Sequence, residues 1–434
     1  MSWKEIYKQK LREPEEVVKF IKSENRVVIG HAAAEPTALV DAMVKNCEQY
    51  ENVEIVHMVA LGKCEYTKPE MIKHFIHNAL FVGGNTRESV KEARADYTPT
   101  FFYQVPKLFK KGYLPIDVAL VEVSKPDEHG FCSFGVSCDY TKTGAECAKI
   151  VIAEVNDQMP RTFGDNFIHV SDIDYIVESS RPLIDLQPPK ITEVEKAIGE
   201  NCASLVEDGS TLQIGIGAIP DAVLLFLKDK KDLGIHSEMF SDGLVDLYNS
   251  GAINNSKKSL HKGKMVVTFL MGTKKLYDFV NNNPAVELYP VSYVNDPMVI
   301  MKNSKMVSIN SCIQVDMMGQ VSSESIGLTQ FSGVGGQVDY VRGTSMSEDG
   351  KSIIAMPSTT SKGKISRIVP FLDHGSSVTT SRNDVEYIVT EYGIADLRGK
   401  TLKQRASALI KIAHPDFKDA LIKEYEKRFK ENFK

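Results

Sequence analysis

No stretch of the 434 residues reaches the roughly 18 consecutive apolar side chains that a membrane-spanning helix needs. The first segment, MSWKEIYKQKLREPEEVVKF, is charged throughout and lacks the apolar centre of a signal peptide. Excess basic charge is missing too: 52 Lys and Arg face 57 Asp and Glu, for a formal net charge of −5. That weak acidity gives no reason to expect a nucleic acid or a membrane surface as partner. The seven cysteines (47, 64, 132, 138, 147, 202 and 312) are odd in number and show no CxxC spacing. They read as reduced thiols of a cytoplasmic protein and not as a disulfide framework. What remains is the composition of a soluble globular protein, 42% hydrophobic and 25% charged, long enough for two domains.

Metal ligands are sparse as well. In HFIH, His74 and His77 have the i, i+3 spacing of two zinc ligands on a helix, but no third ligand has a clear place nearby. The expectation is a pair of surface histidines on a helix and no metal.

Strand-like apolar runs alternate with helical patterns along most of the chain, which points to α/β architecture. The clearest linker is SSRPLIDLQPPKITEVEKA, where Pro182, Pro188 and Pro189 interrupt regular structure. Thr192 and Glu195 then form a capping-box pattern that opens a helix. This divides the chain into domains of residues 1–190 and 191–434. The halves echo each other. RVVIGHAAAEPTALVDAM (26–43) and TLQIGIGAIPDAVLLFL (211–227) both read as strand, small-residue turn and helix, with Pro36 and Pro220 near the helix start. DVALVEVSKPDEHGFCSFG (117–135) and SCIQVDMMGQVSSES (311–325) both read as strand, polar turn and strand, which suggests a duplication.

Three loops have the composition of ligand sites. GIGAIP (Gly215, Ile216, Gly217, Ala218, Ile219, Pro220) follows a strand and precedes a helix, where backbone N–H groups face an anion. Because Pro220 takes the sixth position, this is not GxGxxG, and a dinucleotide fold is not expected. FSGVGGQVDY (331–340) can present consecutive N–H groups as a nest for an oxyanion, or can be a simple turn. In MPSTTSKGKISRIVP (356–370), Lys362, Lys364 and Arg367 give a basic loop able to hold phosphates, unless its charge is merely solvated.

The most informative stretch is GIHSEMFSDG (234–243). Its apolar alternation begins a buried strand, Ser241 and Asp242 read as a helix cap, and Glu238 lies between. A carboxylate there is either a cap or ion-pair partner or a placed reagent. The corresponding stretch of the first half, IVHMVALG (55–62), has none.

Together GIGAIPDAV, HSEMFSDGLVDL, NSCIQVDMMGQVSSE, FSGVGGQVDYVRG, VTEYGIADLRGKTLKQRA and HPDF resemble, in order, the acetyl-CoA hydrolase/transferase family. RADYTPTFFYQVPKLF and VALVEVSKPDEHGFCSFGVS extend the likeness through the first half. The resemblance implies two similar open α/β domains of the CoA-transferase type and CoA as a covalently carried substrate with no permanently bound cofactor. It also implies a homodimer or higher oligomer. Carried over, Glu238 is the residue that becomes a glutamyl-CoA thioester. The CoA contacts fall on Gly215 to Ile219, Ile313, Gly335, Gly336 and Lys362, with the register of the loop lysine open between Lys362 and Lys364. Within the family the likeness is greatest to enzymes of fermenting anaerobes that act on 4-hydroxybutyrate and butyrate. It implies short-chain acyl-CoAs and carboxylates as partners and 4-hydroxybutyrate as the acid. The alternative is an acyl-CoA hydrolase that uses the same residues.

Overall fold

The structure, a computed structural model, describes residues 2–360 and 362–433. Its chain forms two compact units. The first comprises Met1–Gln187 and Val266–Val294, and the second Pro188–Met265 and Asn295–Lys434. The units are therefore not two consecutive halves. Residues 266–294 belong to the first because their hydrogen bonds lie there: Val286–Leu288 pairs with Phe163–Gly164, and the Leu270 amide donates to the Val136 carbonyl at 2.8 Å.

In the first unit seven parallel strands form one sheet. They are β1 (Arg26–Ile29), β2 (Val53–His57), β3 (Phe75–Ala79), β4 (Ala95–Tyr97), β5 (Val118–Val123), β6 (Ile150–Asn156) and β7 (Tyr175–Ser179), in the order β7-β6-β5-β1-β2-β3-β4. A parallel sheet covered on both faces needs near-continuous apolar strands, which is how VALVEV reads in β5. Val27, Ile29, Ile55, Phe75, Val118, Leu120 and Ile152 pack one core with Leu39 and Met43 of helix α1 (Thr37–Lys45).

Glu122 breaks that apolar pattern. Its carboxylate and that of Glu154 in β6 are both fully buried, and Arg181 spans them, with Nη2 3.0 Å from Glu122 Oε2 and Nε 2.8 Å from Glu154 Oε1. Two acids share one guanidinium, so a full negative charge on each is poorly compensated. Burial, with the Glu154 charge adding to it, pushes the Glu122 carboxyl up to about 8 against the pull of Arg181.

The histidine pair of HFIH does not lie on a helix. His77 is in β3, buried, with Nδ1 3.2 Å from the Ile55 carbonyl oxygen, and His74 precedes the strand. Tertiary pairing overrides the helical spacing here. With β2 on one side and β4 on the other, Phe75, His77 and Ala79 turn inward and Ile76 outward, the period of two of a strand.

The second unit repeats the plan. Strands β8 (Thr211–Ile214), β9 (Gly234–Ile235), β10 (Met306–Ser311), β11 (Lys351–Ala355), β12 (Tyr387–Thr390) and β13 (Gly393–Asp396) run in the order β9-β8-β10-β11-β12-β13. All are parallel except β13, which returns antiparallel to β12. The order β9-β8-β10-β11-β12 is that of β2-β1-β5-β6-β7, strand for strand in sequence, so the two units share a topology. Helix α2 (Glu193–Ser204) opens with the expected capping box between Thr192 and Glu195. Among the described residues no helix is long and apolar enough to cross a membrane.

Candidate active site at the strand ends of the second unit

Because β8 to β12 are parallel, their carboxyl ends share one edge of the sheet, the edge at which open α/β sheets bind ligands. The loops picked out by composition leave from that edge. GIGAIP follows β8, Glu238 follows β9, Ile313 follows β10, and the loop with Lys362 follows β11.

Glu238 sits three residues past β9, between it and a short strand at Met239–Phe240; helix α4 (Asp242–Asn249) begins two residues after that strand ends. Ser241 occupies the N-cap position of α4, but its hydroxyl makes no capping hydrogen bond. The segment is anchored from β8 instead. The His236 amide donates to the Leu212 carbonyl at 3.1 Å, and the Ser237 hydroxyl lies 3.3 Å from both the amide and the carbonyl of Ile214. Backbone and hydroxyl thus hold the two residues that precede Glu238, whose own side chain is half-buried.

Two groups from elsewhere in the chain meet this carboxylate. Asn295 is fully buried, and its Nδ2 donates to Glu238 Oε2 at 2.7 Å while lying 3.5 Å from Asp339 Oδ2. The second group is Gly336, at the N-cap of helix α5 (Gln337–Met346). A Cβ at Gly336 would overlap Glu238 Oε2 and Asn295 Nδ2 and lie 2.9 Å from Glu238 Cδ. Only hydrogen on the Gly336 Cα leaves room for the carboxylate. Gly335, at φ +53°, supplies the left-handed turn that aims the start of α5 at it. The N-terminus of α5, the positive end of the helix dipole, and the Asn295 amide both lie against this carboxylate. The charges of Glu238 and Asp339 in turn add to burial in raising the Tyr340 hydroxyl well above its ordinary value.

The other loops lie open. A Cβ at Gly215 or Gly217 would meet no neighbouring atom within 4 Å, and Ile216 is 43% exposed. Gly217, at φ +119°, is the N-cap of helix α3 (Ala218–Leu225), so the glycine turn opens a helix N-terminus towards free space. Ile313 lines a cleft of about 380 Å³ with Ser311, Gln314, Phe331, Thr360, Ile365 and Arg367. Cleft and basic loop are built together, because the Val315 amide donates to the Arg367 carbonyl and Gln314–Asp316 pairs with Ile368–Val369. Lys362 is exposed in the turn between Thr360 and Ile365, closed by the Gly363 amide on the Thr360 carbonyl at 2.8 Å; Lys364 is also exposed.

Sequence reasoning thus located Glu238, Gly335 and Gly336, which the fold brings together, and Gly215–Ile219, Ile313 and Lys362, which it places along the same edge. It missed Asn295 and Asp339. Asn295 stands in YVNDPMVI, where the following Asp-Pro marks only a helix start, and Asp339 was hidden inside the glycine-loop motif.

Sheet edge, buried amide and glycine-backed carboxylate stand together on an α/β frame whose strand order recurs in both units, and this chain belongs to the acetyl-CoA hydrolase/transferase family. The family's N-terminal domain matches residues 1–186 and its C-terminal domain residues 272–425. Glu238 lies between the two matches. Over 429 residues the chain is 68% identical to the 4-hydroxybutyrate coenzyme A transferase of Clostridium kluyveri, covering 99% of this chain and all of that one. It is 40% identical to the butyryl-CoA:acetate CoA-transferase of Anaerostipes caccae, covering 98% of each. The crystal structure of a 4-hydroxybutyrate CoA-transferase from Porphyromonas gingivalis superposes with a TM-score of 0.86 at 48% identity, covering 99% of this chain and all of that one.

Proposed function

We propose that this chain is a CoA-transferase that moves CoA from a short-chain acyl-CoA, such as acetyl-CoA or butyryl-CoA, to a carboxylic acid, 4-hydroxybutyrate foremost, with Glu238 as nucleophile. The observation that carries the reading is the Glu238 carboxylate, half-buried at a strand end, with one oxygen held by the Asn295 amide and backed by Gly336. Its identity with transferases, including one named for 4-hydroxybutyrate, along nearly the whole chain supports both the reaction and the acid.

Transfer of CoA between two acids is nearly isoenergetic, so the chemistry asks only for a group that holds the activated state in between. A Glu238 oxygen attacks the thioester carbonyl. The tetrahedral intermediate collapses to a mixed anhydride and releases CoA thiolate. The thiolate attacks the glutamyl carbonyl, expels the first carboxylate and leaves CoA on Glu238 as a thioester. The second acid attacks that thioester, and the freed thiolate then takes the new acyl group, which restores the Glu238 carboxylate. This is covalent catalysis with ping-pong kinetics. Each tetrahedral intermediate carries an oxyanion beside Glu238. The Asn295 amide and the backbone at Gly335 and Gly336 are the donors that can stabilise it; losing one such donor costs about 3–4 kcal/mol. The open GIGAIP turn, the Ile313 cleft and Lys362 would hold CoA itself. The same reading takes the enzyme to be a cytoplasmic homodimer or higher oligomer.

The intermediate is the test. Enzyme given acetyl-CoA alone should retain CoA on Glu238, and borohydride should reduce that thioester to an alcohol and inactivate the enzyme for good. Peptide mapping should place the change within GIHSEMFSDG. Equal inactivation without donor, or modification elsewhere, overturns the proposal. Fast loss of the adduct to water would identify an acyl-CoA hydrolase instead.

A further inference from the structure

We propose that the first unit carries a Zn²⁺ site built from Cys47, Glu48 and His74, separate from the CoA chemistry. The donor atoms of these three side chains lie within 4.8 Å of one another, and among the described residues no other three His, Cys, Asp or Glu side chains gather so closely. Around a tetrahedral zinc, sulfur, nitrogen and oxygen donors lie about 3.3–3.6 Å apart. Rotation of the exposed Glu48 side chain and the half-buried Cys47 thiol closes the difference. Thiolate, imidazole and carboxylate together suit zinc and not magnesium or calcium, which take oxygen alone.

The frame around these ligands is rigid. Cys47 and Glu48 lie on a single helical turn, Cys47–Gln49, just past the end of α1, and His74 stands immediately before β3. The Tyr50 amide donates to the Cys47 carbonyl at 2.8 Å, and the Val53 amide to the His74 carbonyl at 2.9 Å. His74 Nδ1 lies 2.9 Å from the Tyr50 carbonyl oxygen and donates its proton there, which leaves the Nε2 lone pair for a metal. A backbone carbonyl on the far nitrogen is the usual support of a zinc-bound histidine. Tyr50 is itself fixed, fully buried, with its hydroxyl 2.6 Å from the Val18 carbonyl oxygen. Neither the Cys47 thiol nor the Glu48 carboxylate has a hydrogen-bond or ion-pair partner among the described residues. Of the seven cysteines only Cys47 and Cys147 are not fully buried, and Cys47 is the one in this cluster with His74.

On binding, the Cys47 thiol gives its proton to solvent, the ion forms bonds to sulfur, Nε2 and a Glu48 oxygen, and water takes the fourth position. Co²⁺ reports this directly, since a thiolate ligand gives a sulfur-to-cobalt charge-transfer band. Metal-free full-length protein titrated with Co²⁺ should saturate at one ion per chain with that band, and Zn²⁺ should displace it. Cys47→Ser should abolish the band, and His74→Gln and Glu48→Gln should weaken Co²⁺ binding, the former by at least about 10-fold, the smallest loss typical of disturbing even an outer partner. Cys147→Ser should bind as wild type. Glu48→Gln should melt like the metal-free wild-type protein, since the exposed Glu48 side chain packs against no core residue. Absence of saturable binding by wild type, binding without the thiolate band, or a band that survives Cys47→Ser would each overturn the site. Because the readout is metal and not transfer, failure here leaves the role of Glu238 untouched.

Discussion

Replacing Gly336 by alanine adds one methyl group at the point where the structure leaves no space for it. The backbone there, at φ −93° and ψ 4°, is open to any L residue, so the change brings no backbone strain. All of the effect should fall on Glu238 and Asn295. The new Cβ would lie 2.9 Å from Glu238 Cδ, whereas carbon atoms rest 3.5–4.0 Å apart. The carboxyl carbon must therefore retreat by about 0.6–1.1 Å, and the hydrogen bond from Asn295 must move with it. A misplacement of about 1 Å in a covalent site costs roughly 100-fold, or about 2.7 kcal/mol of transition-state stabilisation. The assay is initial rate from acetyl-CoA to 4-hydroxybutyrate with both substrates saturating, with melting temperature and CoA binding measured on the same preparation. The expected outcome is a kcat lowered about 100-fold with near-normal melting and CoA binding. A variant within threefold of wild-type kcat would refute the placement of Glu238 as the reacting group.

Glu238→Gln keeps the volume but removes the nucleophile, so transfer should vanish while CoA still binds; a tenth of wild-type activity remaining would sink the mechanism. Asn295→Ala should lower kcat by 10²–10³-fold with little change in KM for acyl-CoA, because a lost oxyanion donor acts mainly in the transition state; an equal loss in binding would reduce Asn295 to a structural role. Glu122 gives a pH prediction. Its carboxyl rises from an ordinary 4.5 to about 8 in the folded chain, so folding favours its proton. The stability it contributes is complete below pH 4.5 and is lost as pH climbs through 8. Urea unfolding midpoints should therefore fall between pH 5 and pH 8, and Glu122→Gln should flatten that slope and stabilise the protein at pH 8. A midpoint that rises over this range only in wild type would contradict the buried pair.

The two units differ in side chains at the ends of their second strands. In the first unit β2 is followed by MVALG without a carboxylate. In the second, β9 is followed by HSEMF, and Glu238 meets Asn295 and Gly336. A shared strand order provides the same edge in both units, and a few residues set a carboxylate, a buried amide and a glycine together at one of them.

Much of this was legible in the chain itself. Apolar runs alternating with helical periods declare an α/β protein, because a parallel sheet must be apolar on both faces. Glycine-rich turns between strand and helix, and a glutamate where an apolar residue is expected, declare loops with work beyond packing, since local chemistry alone explains them poorly. Tertiary structure decided what depends on distant partners. HFIH reads as a helix face by spacing, yet pairing with β2 and β4 makes it a strand and buries His77. Residues 266–294 lie beyond the linker, yet their hydrogen bonds return them to the first unit. Asn295 lies 57 residues from Glu238 and Gly336 98 residues, and nothing in either local pattern foretells that both close on one carboxylate oxygen. Periodicity and turn chemistry act over a few residues and are written in order along the chain. Contacts between strand ends are set by the sheet, which brings together residues that the sequence keeps far apart.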